Sequence, residues 1–259
     1  MPTLLDTAHQ ARSALEAADG VRSNSRQEKC PMSVEAEVIP DFRHAKTFSD
    51  IQRRFLRSAQ TIMRQHILKL GDSEFAPTSL ELYLKLHNGR DIWWDSATDR
   101  DDIASYEQHR RGTWYVRRKK GQQYWRIDIT SGNSDEQIQA GILIRQLDGR
   151  GGPSPGPAIA LHRIIRGRFD RGRFDDAQIE LVRQIHGKRI DGSDGSPLIL
   201  TKRKEALDVR LSVGKRINIP KSGARNFEGI LISAAPLRVS TWRKYSYDTI
   251  IEDANLADG

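Results

Sequence analysis

Residues 79–86 read SLELYLKL. Leu80, Leu82, Leu84 and Leu86 alternate with Glu81, Tyr83 and Lys85, and a repeat of two is that of an extended strand whose side chains point to opposite faces in turn. One face is therefore apolar. The other projects a carboxylate and a phenol together, because positions i and i+2 share a face. The local pattern alone favours a solvent-facing surface for Glu81 and Tyr83; a paired emergence from a rigid element is the functional alternative.

Working outward, residues 47–71 read TFSDIQRRFLRSAQTIMRQHILKLG. Ile51, Phe55, Ala59, Ile62, Met63 and Ile67 recur at helical spacing, Thr47 or Ser49 can cap the start, and Gly71 follows the end, so a helix is predicted over this stretch. Its other face carries Arg53, Arg54, Arg57 and Arg64. Beyond HNGRD, residues 91–110 show no period and read as a loop. GTWYVRR (112–118) and YWRIDIT (124–130) then read as two strands around KKGQQ, a hairpin with Gly121 at its turn. QAGILIRQL (139–147) is a largely buried strand. DGRGGPSPGP (148–157) is a loop, AIALHRIIRG (158–167) a short helix or buried strand, and FDDAQIELVRQIHG (174–187) a helix. PLILTK, LDVRLSVGKRINI and FEGILISAAPLRVS are strand-like. The pattern predicts a mixed α+β domain at about 46–245, its strands running mostly as antiparallel hairpins and meanders. Residues 1–45 are expected to form a mobile arm and linker, and 246–259 a tail.

The chain has 259 residues with 42 Lys+Arg against 34 Asp+Glu, a formal charge of +8. A positive field of this kind favours a polyanionic partner. Cys30 is the one cysteine, which excludes an intrachain disulfide and a cysteine-based zinc site. The histidines form no HxH or HxxxH pair, and neither a P-loop nor GxGxxG occurs, so no metal and no cofactor are expected. No run of 18 apolar residues exists, which excludes a membrane-spanning helix. The start MPTLLDTAHQARS lacks a charged lead into an apolar stretch, so a soluble cytoplasmic protein is expected, and a monomer.

Three further features bear chemistry. Asp128 stands between Ile127 and Ile129 on the returning hairpin strand, where aspartate is unfavourable. It is either an edge position or an acid in a cleft. Arg145 ends the apolar run GILI, either leaving the strand into water or pairing with Glu81 or Asp128. Arg117, Arg118, Lys119 and Lys120 form a basic run flanked by Trp114, Tyr115, Tyr124 and Trp125. Such a run is commonly a solvated turn, but basic residues interleaved with aromatics also suit phosphate contact and base stacking.

Taken in order, ELY (81–83), GTWYV (112–116), GILIRQL (141–147), PGPAIAL (155–161), KRINI (215–219) and APLRV (235–239) resemble the motifs of the alkyladenine (3-methylpurine) DNA glycosylase family. The similarity covers about residues 47–240. It implies a single domain with a curved, mostly antiparallel sheet flanked by helices and a protruding hairpin. It also implies a monofunctional glycosylase that flips a nucleotide out of double-stranded DNA and leaves an abasic site. By that resemblance Glu81 activates water, Arg145 supports the carboxylate, and Tyr83 stacks on the flipped base, with Trp93, Trp94 and Tyr115 around the pocket. Arg117, Arg118, Lys119, Lys120, Gln122, Gln123, Lys215 and Arg216 would meet DNA.

The chain departs from the family at several points. The family's hairpin aromatics fall on Arg117 and on Lys119 or Lys120, its pocket asparagine falls on Asp128, and its loop histidine has no counterpart. Asp128 then becomes a second catalytic candidate. The added polar groups suit a base carrying hydroxyls, such as glucosylated hydroxymethylcytosine in phage DNA, the substrate of bacterial defence glycosylases resembling this fold. The alternatives are a repair glycosylase for alkylated purines, a non-catalytic duplex-binding protein, and a hydrolase of free nucleosides.

Overall fold

The strand that carries the leucine repeat extends beyond it on the N-terminal side: β2 spans Ser73–His87. In a computed structural model of the chain, residues 38–45, 47–87, 92–93, 108–118, 125–148, 157–167, 172–208, 211–215, 230–233 and 249–250 are described. The chain divides into Met1–Met32 and Ser33–Gly259; the first unit lies outside the described residues, which all belong to the second.

The elements run α1 (Phe48–Gln65), β1 (His66–Leu70), β2, β3 (Ile92–Trp93), β4 (Arg111–Arg118), β5 (Trp125–Ser131), β6 (Gln139–Asp148), α2 (Pro157–Arg166), α3 (Asp176–Ile185), β7 (Leu198–Lys202), β8 (Ser212–Lys215), β9 (Ile230–Ser233) and β10 (Thr249–Ile250). Among the described residues the main sheet has the order β10-β8-β9-β2-β6-β5-β4, with β1 joining β2 to β7 and β3 pairing the end of β2. Every one of these pairings is antiparallel. This is the mixed α+β architecture the pattern predicts. Pro77 sits beside a register shift between Pro77 and Ser79, where a missing N–H is tolerated in a central strand.

One row across the sheet explains what holds it together. Leu82 faces Ile142, Ile142 faces Ile129, and Ile129 faces Trp114, so four strands present apolar side chains to one side. All four are fully buried, in one continuous core with Ile51, Phe55, Ala59 and Ile62 of α1 and Ala160, Leu161 and Ile164 of α2. Each such aliphatic side chain contributes about 1.5–3 kcal/mol on burial. The α1 helix starts at a capping box: the Thr47 hydroxyl accepts from Asp50 N at 3.1 Å, and the Asp50 carboxylate accepts from Thr47 N at 3.2 Å. Strand β4 ends the main path, yet its outer edge is paired. Trp114 N donates to Lys188 O and Gly187 N to Trp114 O, both at 2.7 Å, and Val116 N donates to His186 Nδ1 at 3.1 Å.

Two expectations are corrected. The helix predicted to reach Gly71 stops at Gln65, and His66–Leu70 is strand β1. HILKL alternates as well as it continues the helical repeat, and pairing on both sides, with Ser73–Phe75 and with Leu198–Lys202, decides for the strand. The arm expected to end at 45 gives way earlier. Val38, Ile39, Phe42 and Ala45 are buried, and the Ser58 hydroxyl of α1 donates to the Val38 carbonyl. AIALHRIIRG, open between helix and strand, is helical as α2.

Candidate active site

Beside the apolar row, on the same four strands, runs a row of different chemistry. Glu81 faces Leu143, Leu143 faces Asp128, and Asp128 faces Tyr115. Alternation puts this row on the face opposite the core. Tyr83, Arg145 and Arg117 each lie two residues along from a member of the row, so they share its face. The β4–β5 hairpin and strands β6 and β2 thus gather Glu81, Tyr83, Tyr115, Arg117, Asp128 and Arg145, which are far apart in the chain, over a few strand spacings.

The surface expected to face solvent is buried. Glu81 is 3% exposed, Tyr83 2%, Asp128 0% and Arg117 8%. Yet Tyr83, Tyr115 and Leu143 stand outside the continuous apolar core. The charges come in opposite pairs. Arg145 Nη1 donates to Glu81 Oε2, so Arg145 takes the partnered alternative. Arg117 Nε lies 3.1 Å from Asp128 Oδ2, and its guanidinium carbon sits 4.8 Å over the centre of the Tyr83 ring, within cation–π range. Taking such ions out of water costs several kcal/mol each, and a well-packed apolar set in their place is often as stable or more so. Clusters of this kind are therefore candidates for chemistry.

Glycines and threonines shape the floor. Thr130 Oγ1 accepts from Thr113 N at 2.9 Å and lies 2.8 Å from Thr113 Oγ1. This locks β5 to β4 at the register shift between Arg111 and Trp114. Gly141 stands opposite both Tyr83 and Thr130. A Cβ built there would lie 3.8 Å from Asp128 Oδ2 and 3.8 Å from Gln108 Nε2. Gln108 itself is 0% exposed. The Tyr115 ring is 5.6 Å from that of His186, whose Nδ1 accepts from Val116, which places any proton of the neutral ring on Nε2.

The basic run divides. Arg117, expected to meet DNA, points into the site instead, because it shares the face of Tyr115 and finds Asp128 there. Arg118 ends β4 opposite Trp125, and Lys215 ends β8 opposite Ile230; their side chains lie outside the described residues. So do Trp94, Lys119, Lys120, Gln122, Gln123 and Arg216, and with them the hairpin tip. Trp93 pairs with Leu86 through β3, its side chain likewise outside. Gln108, Gly141 and Thr130 were not legible as site residues. Gln108 falls in a stretch without period, and only the register brings it to Gly141. Among the described residues no group of three or more His, Cys, Asp or Glu side chains is arranged to hold a metal ion, and no helix is long and apolar enough to cross a membrane.

No protein-family model and no curated protein matches the chain.

Proposed function

We propose that the chain is a monofunctional DNA N-glycosylase acting on a neutral, polar modified base, with a glucosylated cytosine of phage DNA as the leading substrate and antiviral defence as its setting. The observation that carries this reading is the buried Glu81–Arg145 pair, set on one sheet face with Asp128, Arg117 and Tyr83. The ordered motifs between about 47 and 240 and the +8 charge point the same way.

The target base must leave the stack, at a cost of a few kcal/mol. Glu81 takes a proton from water as the water oxygen bonds to C1′. The C1′–N bond breaks, and its electron pair leaves with the base, whose nitrogen is protonated from solvent. Arg145 holds the Glu81 carboxylate in place and balances its charge. Asp128 brings a second carboxylate to the bound nucleotide, two strands from Glu81. Glu81 and Asp128 flank Leu143 on either side, so their backbones are about 10 Å apart at two strand spacings.

The Arg117 guanidinium over Tyr83 disfavours a cationic alkylated purine by like-charge repulsion, which ranks a neutral base first. The same contact supports a second reading. A stacking platform that already carries a guanidinium suits a protein that binds DNA without excising a base. The test is incubation with hypermodified phage DNA followed by alkali. Alkali-labile sites are expected with the wild-type chain and absent with Glu81→Gln and Asp128→Asn, both of which keep their DNA binding. Salt-dependent binding with no labile sites would favour the second reading, and full activity in both variants would sink the first.

A further inference from the structure

Gln108 is completely buried, and among the described residues neither its Nε2 nor its Oε1 has a hydrogen-bond partner. Its backbone is fixed. The Gln108 carbonyl accepts from Ala140 N at 3.1 Å, and it presses so close to Gly132 that a Cβ there would meet it at 1.8 Å. The side chain is thereby held over Gly141, where the nearest other polar atom is Asp128 Oδ2: a Cβ at 141 would lie 3.8 Å from that oxygen and 3.8 Å from Gln108 Nε2. A glycine here keeps a side chain from coming between Gln108 and Asp128, in line with Tyr83 and Thr130 on the site face.

A buried carboxamide with no partner is destabilising where it stands. It is retained at a site whose ligand supplies the missing donor and acceptor, a common form of the trade between stability and function. A carboxamide offers one acceptor and two donors, and the ionised Asp128 carboxylate beside it offers acceptors only. Together they match an edge with an exocyclic amino group next to a ring nitrogen. One amino hydrogen goes to Asp128, the other to Gln108 Oε1, and the ring nitrogen accepts from Gln108 Nε2. A keto group in the amino position would set its oxygen against the carboxylate.

We infer that Gln108, with Asp128, determines specificity by reading the amino-bearing edge of the base and rejecting its keto counterpart. The inference rests on the glycosylase reading for its substrate. It narrows the class to 4-aminopyrimidines or 6-aminopurines and selects a cytosine-type over a uracil-type base.

The test uses the full chain and two duplex oligonucleotides, one with a single glucosylated 5-hydroxymethylcytosine and one with a single glucosylated 5-hydroxymethyluracil. Wild-type base release is expected to favour the cytosine duplex by about ten- to hundredfold, the range for one bidentate contact. Gln108→Met fills the same volume without polar atoms. It should keep or raise the thermal midpoint while losing most of that preference. A variant with wild-type rates and ratio, or one whose midpoint falls with its rate per folded molecule unchanged, overturns the inference. Equilibrium binding to the two duplexes separates this failure from that of the glycosylase reading. No base release from either duplex, with a binding preference for the cytosine form that Gln108→Met abolishes, overturns only the catalysis. No release and no preference overturns both.

Discussion

Strand β2 has two buried faces, and they are buried for different reasons. Leu80, Leu82 and Leu84 point into the continuous core, each 0% exposed, while Glu81 and Tyr83, equally hidden, belong to a cluster of paired charges on the other side. The same backbone thus separates what makes the sheet stable from what makes it chemically unusual, one residue apart. Burial by itself does not say which face is which. The partners do: leucine, isoleucine and tryptophan in one row, two carboxylate–guanidinium pairs in the next.

The comparison can be broken most sharply at Glu81. Glu81→Gln is expected to lower base release by about 10²–10⁴-fold, the range for a general base, measured as single-turnover release; wild-type release would erase the distinction between the faces. Arg145→Met, which strands a buried carboxylate, should destabilise by about 3–5 kcal/mol in urea denaturation. The pair Glu81→Met with Arg145→Met should recover that loss, or even exceed wild-type stability, while staying inactive. A double variant as unstable as the single one would show that the ion pair is structural. On the core face, Leu82→Ala should cost about 2–5 kcal/mol, with base release per folded molecule unchanged.

The smallest effect belongs to an ion pair outside both faces. The Arg43 guanidinium, hydrogen-bonded to Asp41, outweighs partial burial and holds the Asp41 carboxyl down at about 2. A depressed carboxyl stabilises the fold above its unfolded-state range and loses that contribution as pH falls toward 2. Comparing wild type with Asp41→Asn in urea, the gap should close as pH is lowered from about 5 to about 2, where the carboxyl protonates. Because the pair is partly exposed, the gap is small even at neutral pH.

The alternation in SLELYLKL was enough to place Glu81 and Tyr83 on one face, and Ile127-Asp128-Ile129 was enough to single out Asp128. That these faces are buried was not legible, because burial depends on what covers a strand and not on its own period. The helix end at Gln65 was hidden for a related reason: HILKL satisfies two periodicities, and the choice lies with β2 and β7. Arg117 looked like part of a solvated or DNA-facing run because four cations are adjacent in sequence. Strand alternation turns the first of them inward toward Asp128. Gln108 carries no local signal at all, since its position follows from a close approach to Gly132.

The most direct measurement is mass spectrometry of free bases released from a hypermodified phage genome. The wild-type chain should release a free sugar-bearing cytosine with matching abasic sites, and Glu81→Gln should release it about 10²–10⁴-fold more slowly. DNA bound tightly with no base freed, or release by Glu81→Gln at the wild-type rate, would contradict the assignment of the Glu81 face to catalysis.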